Sequence, residues 1–250
     1  MSTAEPPRAE TTYDPSTDLG PALDEVAAAT DRLLATVDRL TDDDVRAPSG
    51  LPGWTRAHVL THLARNADAL GNLAWWARTG EEHAMYPGGQ SARDEAIEAG
   101  AGRHQGDLRL DLNESSERLL EQFADFPVDG LTREVRSSRG GAWLGWELPW
   151  MRLREVEIHH VDLVAGYARD DWPETFVTRT LDQLAPQILA RGESPVRELR
   201  DGSASWALGS DGPVLEGGRA ALLAWLLGRS AGDGLSPQPP GEMPVAPRWS

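Results

Sequence analysis

The chain has 250 residues and a mass of 27.2 kDa, enough to bury a substantial core as one large domain or as one domain with a smaller partner. A formal net charge of −16 and a pI near 4.7 repel phosphate backbones and anionic lipid, which argues against nucleic-acid and membrane-surface functions. There is no cysteine and no lysine, so disulfides, thiolate-ligated metals, a protein thiol nucleophile and Schiff-base chemistry are all excluded, and any thiol chemistry needs a thiol from outside.

Residues 1–17, proline-rich and polar, read as a flexible leader without the basic-then-apolar layout of a signal peptide. No apolar run approaches the length of a membrane span, and a cytoplasmic protein is expected. Leu19, Leu23, Val26, Leu33, Leu34, Val37 and Leu40 recur at three- and four-residue steps, the stripe of a first core-facing helix. An acidic, Pro/Gly-bearing connector over 41–52 leads to a second helix, capped by Thr55 and running to about Arg78. It carries His58 and His62, four residues apart, of which His62 sits deeper in the apolar pattern. After a loop over 79–90 holding His83, Met85 and Tyr86, a third helix is predicted over 91–126, with an interruption near Gly100 and Gly102. Arg93 and Arg103 lie on it, each able to fork onto a carboxylate, or onto the many acids of the same helix.

Between 126 and 146 the residues from Leu131 alternate like a short strand or extended link, and Gly140-Gly141 with Trp143 and Trp146 make a loop to the fourth helix, Trp150 to Asp170, around which the chain is organised. Glu155 and His159 are four residues apart there and so share one helix face, about one turn from each other. A carboxylate oxygen and an imidazole nitrogen so placed suit a zinc-like divalent ion, and His62 from a facing helix is the candidate third ligand of a site with one open position. The same spacing also occurs on ordinary solvated helix faces. His160 points about 100° away from His159, and Asp162 or a backbone carbonyl is the group to orient a ligand imidazole. From 171 onward the pattern becomes that of a small α/β unit: helices over 174–190 and 218–227, strand-like runs at 196–200 and 204–209, and a Pro/Gly-rich tail expected to be loose or to wrap the surface. The fold expected is mainly α, an up-and-down four-helix bundle over 18–170 followed by the small α/β domain over 171–250.

Gly53-Trp54-Thr55, His62-Leu63-Ala64-Arg65-Asn66, Met85-Tyr86 before Arg93-Asp94, Arg154 to Leu163, and Ala221 to Arg229 occur in an order that resembles the mycothiol-dependent maleylpyruvate isomerase family, from about residue 18 to 247. The resemblance implies a DinB-like metal-binding bundle with a C-terminal domain similar to sterol carrier proteins. It puts the metal ligands at His62, Glu155 and His159, adds Arg229 as an active-site contribution from the second domain, with Arg93 as a weaker candidate, and makes zinc the metal and mycothiol the thiol cosubstrate. The reaction so implied is thiol addition to the cis double bond of a maleylpyruvate-like substrate. The alternatives are a mycothiol S-transferase, a thiol-independent zinc hydrolase, in which metal-bound water attacks, and a non-catalytic binding module.

Overall fold

In the computed structural model, residues 15–138 and 140–247 are described. Their contacts fall into two compact units, one ending at Tyr167 and one beginning at Ala168.

The first unit is built on α1 (Pro15–Val37), the short α2 (Asp42–Arg46), α3 (Arg56–Thr79), α4 (Gly89–Ala101), α5 (Gln105–Ala124), the single turn α6 (Val128–Leu131), the hairpin β1 (Glu134–Arg136) and β2 (Ala142–Leu144), and α7 (Leu148–Asp162). Helices α1, α3, α5 and α7 make the bundle: α3 packs against α5, α7 and α4, and α1 against α7 and α5. The core between them is filled by Leu70, Leu73, Leu119, Phe123, Val135 and Leu148, none more than 1% exposed. α3 is buried on nearly every side, which is why its apolar pattern is broad rather than a narrow stripe.

The third helix expected over 91–126, with its interruption near Gly100 and Gly102, is two helices, α4 and α5, parted at Gly102. Gly100 lets α4 lie against α3 so closely that a Cβ there would meet the Thr61 methyl at 2.4 Å, and the chain then turns away. The fourth helix is also shorter than the sequence implies. α7 stops at Asp162 rather than continuing to Asp170, because partners distant in sequence take the carbonyl of its last residue and those of the two residues that follow. Gly50 N–H donates to Asp162 O at 2.7 Å, and Arg56 donates to Leu163 O at 2.7 Å and Val164 O at 2.9 Å. Val164 then turns at φ +50°, a left-handed conformation that a β-branched residue rarely adopts.

The second unit holds α8 (Glu174–Arg191), β3 (Glu198–Arg200), β4 (Ser205–Ala207), β5 (Val214–Gly217), α9 (Arg219–Leu226) and β6 (Leu235–Gln238). Its sheet has the order β4-β3-β5-β6, with β3 and β5 parallel and the other pairs antiparallel. α8 and α9 pack together, with Phe176, Leu181, Leu222 and Trp225 buried alongside Leu199 and Leu215 of the sheet. The tail, expected to be loose or to wrap the surface, therefore supplies an edge strand. Pro237, which cannot donate to a ladder, is tolerated there because β6 has a neighbour on one side only. No helix among the described residues is long and apolar enough to cross a membrane.

Candidate metal centre

Thr55 is the N-cap of α3, and its hydroxyl accepts from the His58 backbone N–H while the His58 ring turns back to it, Nδ1 lying 2.7 Å from Thr55 Oγ1. This use of His58 in the cap separates the two histidines of α3. His58 stays at the helix start with Glu98 3.5 Å from its Nε2, whereas His62, one turn on, points inward and is 5% exposed. Trp54, just before the cap, lays its ring against His62 at a centroid distance of 5.7 Å.

Across from His62, α7 presents Glu155 and His159. His62 Nε2 is 3.0 Å from Glu155 Oε2, and His159 Nε2 is 3.5 Å from the same oxygen. The two imidazoles meet edge to face, centroids 4.6 Å apart at 88°, and one ligand atom from each of the three residues lies within 4.8 Å of the others. Tetrahedral binding at about 2.0–2.2 Å per ligand places neighbouring donors about 3.4 Å apart. The 3.0 and 3.5 Å contacts bracket that spacing, so the nitrogen–oxygen–nitrogen set fits a divalent ion of the zinc class.

The groups behind the triad fix its orientation. Asp162, buried at the end of α7, accepts from His159 Nδ1 at 2.8 Å, which decides between the two orienting groups that the sequence leaves open. Arg93 from α4 places Nη2 3.1 Å from His62 Nδ1, with its other arm on Asp94 at 2.7 Å. A guanidinium has no acceptor, so it donates to Nδ1, and His62 must carry its proton on Nε2, donated to Glu155. A cation held at Nε2 would return that proton to Nδ1. Metal at His62 and the Arg93 hydrogen bond are therefore alternatives.

Charge follows this geometry. Burial is the main influence on His62 and lowers its pKa, helped by the neighbouring His159 and Arg93. Burial works against the charged form of Glu155 too, yet hydrogen bonds from both imidazoles hold its carboxyl well below the usual range. For His159 burial is outweighed by Asp162 and Glu155, and the pKa rises to about 9.

Other candidates lie elsewhere. Arg103 joins Arg65 on the carboxylate of Asp111, both at 2.7 Å, and so serves packing between helices. His160 bonds Thr36 at 2.8 Å and stacks flat on Tyr167 at 3.8 Å, away from the ligand face. His83 rests edge-on against Trp75 at 5.3 Å. Arg229 belongs to the second unit, just past α9, with Nη1 donating to Leu227 O at 2.9 Å.

Residues 26–164 match the model of the mycothiol maleylpyruvate isomerase N-terminal domain, a span that contains all three candidate ligands and Arg93. The chain belongs to the mycothiol maleylpyruvate isomerase family. Among solved structures, that of the mycothiol-dependent maleylpyruvate isomerase is similar with a TM-score of 0.86 and 32% identity, over 94% of this chain and 98% of that one. A histidine-to-alanine mutant of the mycothiol-dependent maleylpyruvate isomerase is similar to the same extent, TM-score 0.86 and 32% identity over the same shares. No curated protein matches the chain. The family match covers the bundle that carries the triad and stops short of Arg229. Sequence reasoning missed the contact of Arg93 with His62 and the packing of Trp54 on the same ring. The second had a local signal, an aromatic residue directly before a helix cap.

Proposed function

We propose that this family member is a metal-dependent enzyme that uses mycothiol to isomerise the cis double bond of a maleylpyruvate-like substrate, with His62, Glu155 and His159 as the metal ligands. The observation that carries the reading is the convergence of two imidazole nitrogens and one carboxylate oxygen, from two helices, at a spacing that suits a tetrahedral ion. When bound, such an ion supplies Lewis acidity that brings the pKa of a thiol toward neutrality. A chain without cysteine has to receive that thiol as a small molecule.

In this reading the thiol sulfur bonds to one carbon of the double bond, the second pair of electrons moves toward the adjoining carbonyl, the remaining single bond rotates, and elimination returns the free thiol with the trans alkene. Atoms and charge balance without an oxidant or reductant. The protein's tasks are then to hold carboxylates and to stabilise the developing enolate. Arg93 stands beside His62 with its guanidinium poised to exchange an internal acceptor for a substrate carboxylate. Arg229, from the domain we assign to residues 171–250, is proposed as the second cation. Asp162 keeps the His159 ring in the tautomer that presents Nε2 to the ion.

The test is turnover of maleylpyruvate by zinc-loaded protein with and without mycothiol, followed by product analysis. Fumarylpyruvate formed only with the thiol supports the isomerase. Accumulation of a stable thioether in place of the isomer assigns the protein to S-transfer, and hydrolysis without thiol overturns both.

A further inference from the structure

Arg152 lies on α7 one turn before Glu155 and is completely buried. A cation removed from water normally meets a carboxylate, because the lost hydration is otherwise uncompensated. Among the described residues Arg152 meets none. Its partners are neutral: Nη1 donates to Leu63 O at 2.8 Å and Asn66 Oδ1 at 2.9 Å, Nη2 donates to Ser116 Oγ at 3.0 Å, and Nε has no hydrogen-bond partner among the described residues. Burial pulls its pKa down to about 10, with Glu155 and Asp68 acting the other way, so the group stays charged at neutral pH. An apolar side chain of similar volume would avoid that cost, so the guanidinium must supply something that packing cannot.

What it supplies is direction. Leu63 directly follows His62 on α3, Asn66 is one turn beyond His62, and Ser116 is on α5, where its own hydroxyl is anchored on Leu112 O at 2.7 Å. One planar fork thus ties α7 to α3 and α5 beside the candidate metal ligands. At the other end of the same helix pair, Arg56 of α3 grips the carbonyls of Leu163 and Val164 just past α7. The donors of a two-helix site sit between these two arginines, and their spacing is set by the gap between α3 and α7. Apolar contacts are indifferent to sliding, whereas a rigid fork with three fixed acceptors is not.

We propose that Arg152 is a positioning residue for the metal site, holding α3 and α7 at the separation that brings His62 Nε2 to Glu155 and His159. The proposal rests on the reading of the triad as a metal site.

The experiment compares full-length wild type with Arg152→Met and Arg152→Lys, reading cobalt affinity by competition with a chromophoric chelator, the cobalt ligand-field spectrum, and the melting temperature of metal-free protein. Arg152→Met is expected to keep the fold, to weaken cobalt binding by about 10- to 100-fold as loss of an outer support does, and to shift the ligand-field bands. Arg152→Lys keeps the charge but not the fork and is expected to restore little of the affinity. A folded Arg152→Met with cobalt affinity within twofold of wild type and the same bands overturns the proposal. So does a lower melting temperature with unaltered metal binding, the signature of a merely structural residue. If Arg152→Met does not fold, Asn66→Leu removes one acceptor of the fork and leaves the other two. A several-fold loss of cobalt affinity then supports the proposal, and no loss overturns it. Failure of wild type to bind cobalt at all is a separate result, which overturns the metal reading itself.

Discussion

His159 is where the chemistry of the site meets the proton. Its imidazole lies between Glu155 and Asp162, with a pKa raised to about 9 against an ordinary value of 6.5. A metal can take Nε2 only after that proton leaves, so apparent metal affinity is expected to rise close to tenfold per pH unit from about 6.5 to 9 and to level off above. The metal-free protein moves the opposite way. A raised folded-state pKa stabilises fully below the unfolded value, and the contribution disappears as pH climbs through the folded one. Metal-free stability should therefore fall by on the order of 3 kcal/mol across that window. Chelator competition and chemical denaturation at several pH values measure both, and a flat metal affinity across the window would remove His159 from the ligand set. At this scale the spacing of Glu155 and His159 was legible in the sequence, and His62 was too, through its place in an apolar stripe. Arg93 on His62 Nδ1 and Arg152 on Leu63 O were not, since both depend on how closely separate helices approach.

The helix ends show how elements are set by partners that lie far away in sequence. Thr55 announces the start of α3 locally, and the structure places the cap there. The end of α7 has no such announcement. It is made by Gly50 and Arg56, more than a hundred residues earlier, and the chain accepts a left-handed Val164 as a result. A β-branched residue in that conformation costs about 1–2 kcal/mol, and Val164 is 59% exposed, so little burial offsets the strain. Val164→Asn, which tolerates the conformation, is expected to raise stability by about 1 kcal/mol and to leave metal affinity unchanged, as denaturant midpoints and cobalt titration will show. The break between α4 and α5 was legible from Gly100 and Gly102, although the reason for it, the contact of Gly100 with Thr61, belongs to the packed state. β6 escaped notice because Pro237 reads as a strand breaker until the strand is seen to lie on an edge.

For the molecule as a whole, composition and function pull in different directions. The chain carries a net charge of −16, while the proposed substrate is an anion. The cations proposed for the site would offset that field at contact distance, but approach from solution is opposed. Raising ionic strength from about 0.01 to 0.15 M shortens the screening length from about 30 to 8 Å, and kcat/KM for a dicarboxylate is expected to increase by about threefold, with no such increase for an uncharged electrophile. A dicarboxylate rate that falls with salt would mean that a local positive funnel dominates the approach. The class of fold and the order of its parts were legible from periodicity and the ordered motifs. The sheet order of the second unit was not, because strands of three and four residues carry almost no periodic signal.

The two arginines that link α3 and α7 act on motion as well as on distance. Helices in a bundle fray from their ends, and a pair joined at two separated levels fluctuates least between the joints, as a beam does between its supports. His62, Glu155 and His159 occupy that interval. Their backbone amides should be among the slowest in the protein to exchange with deuterium.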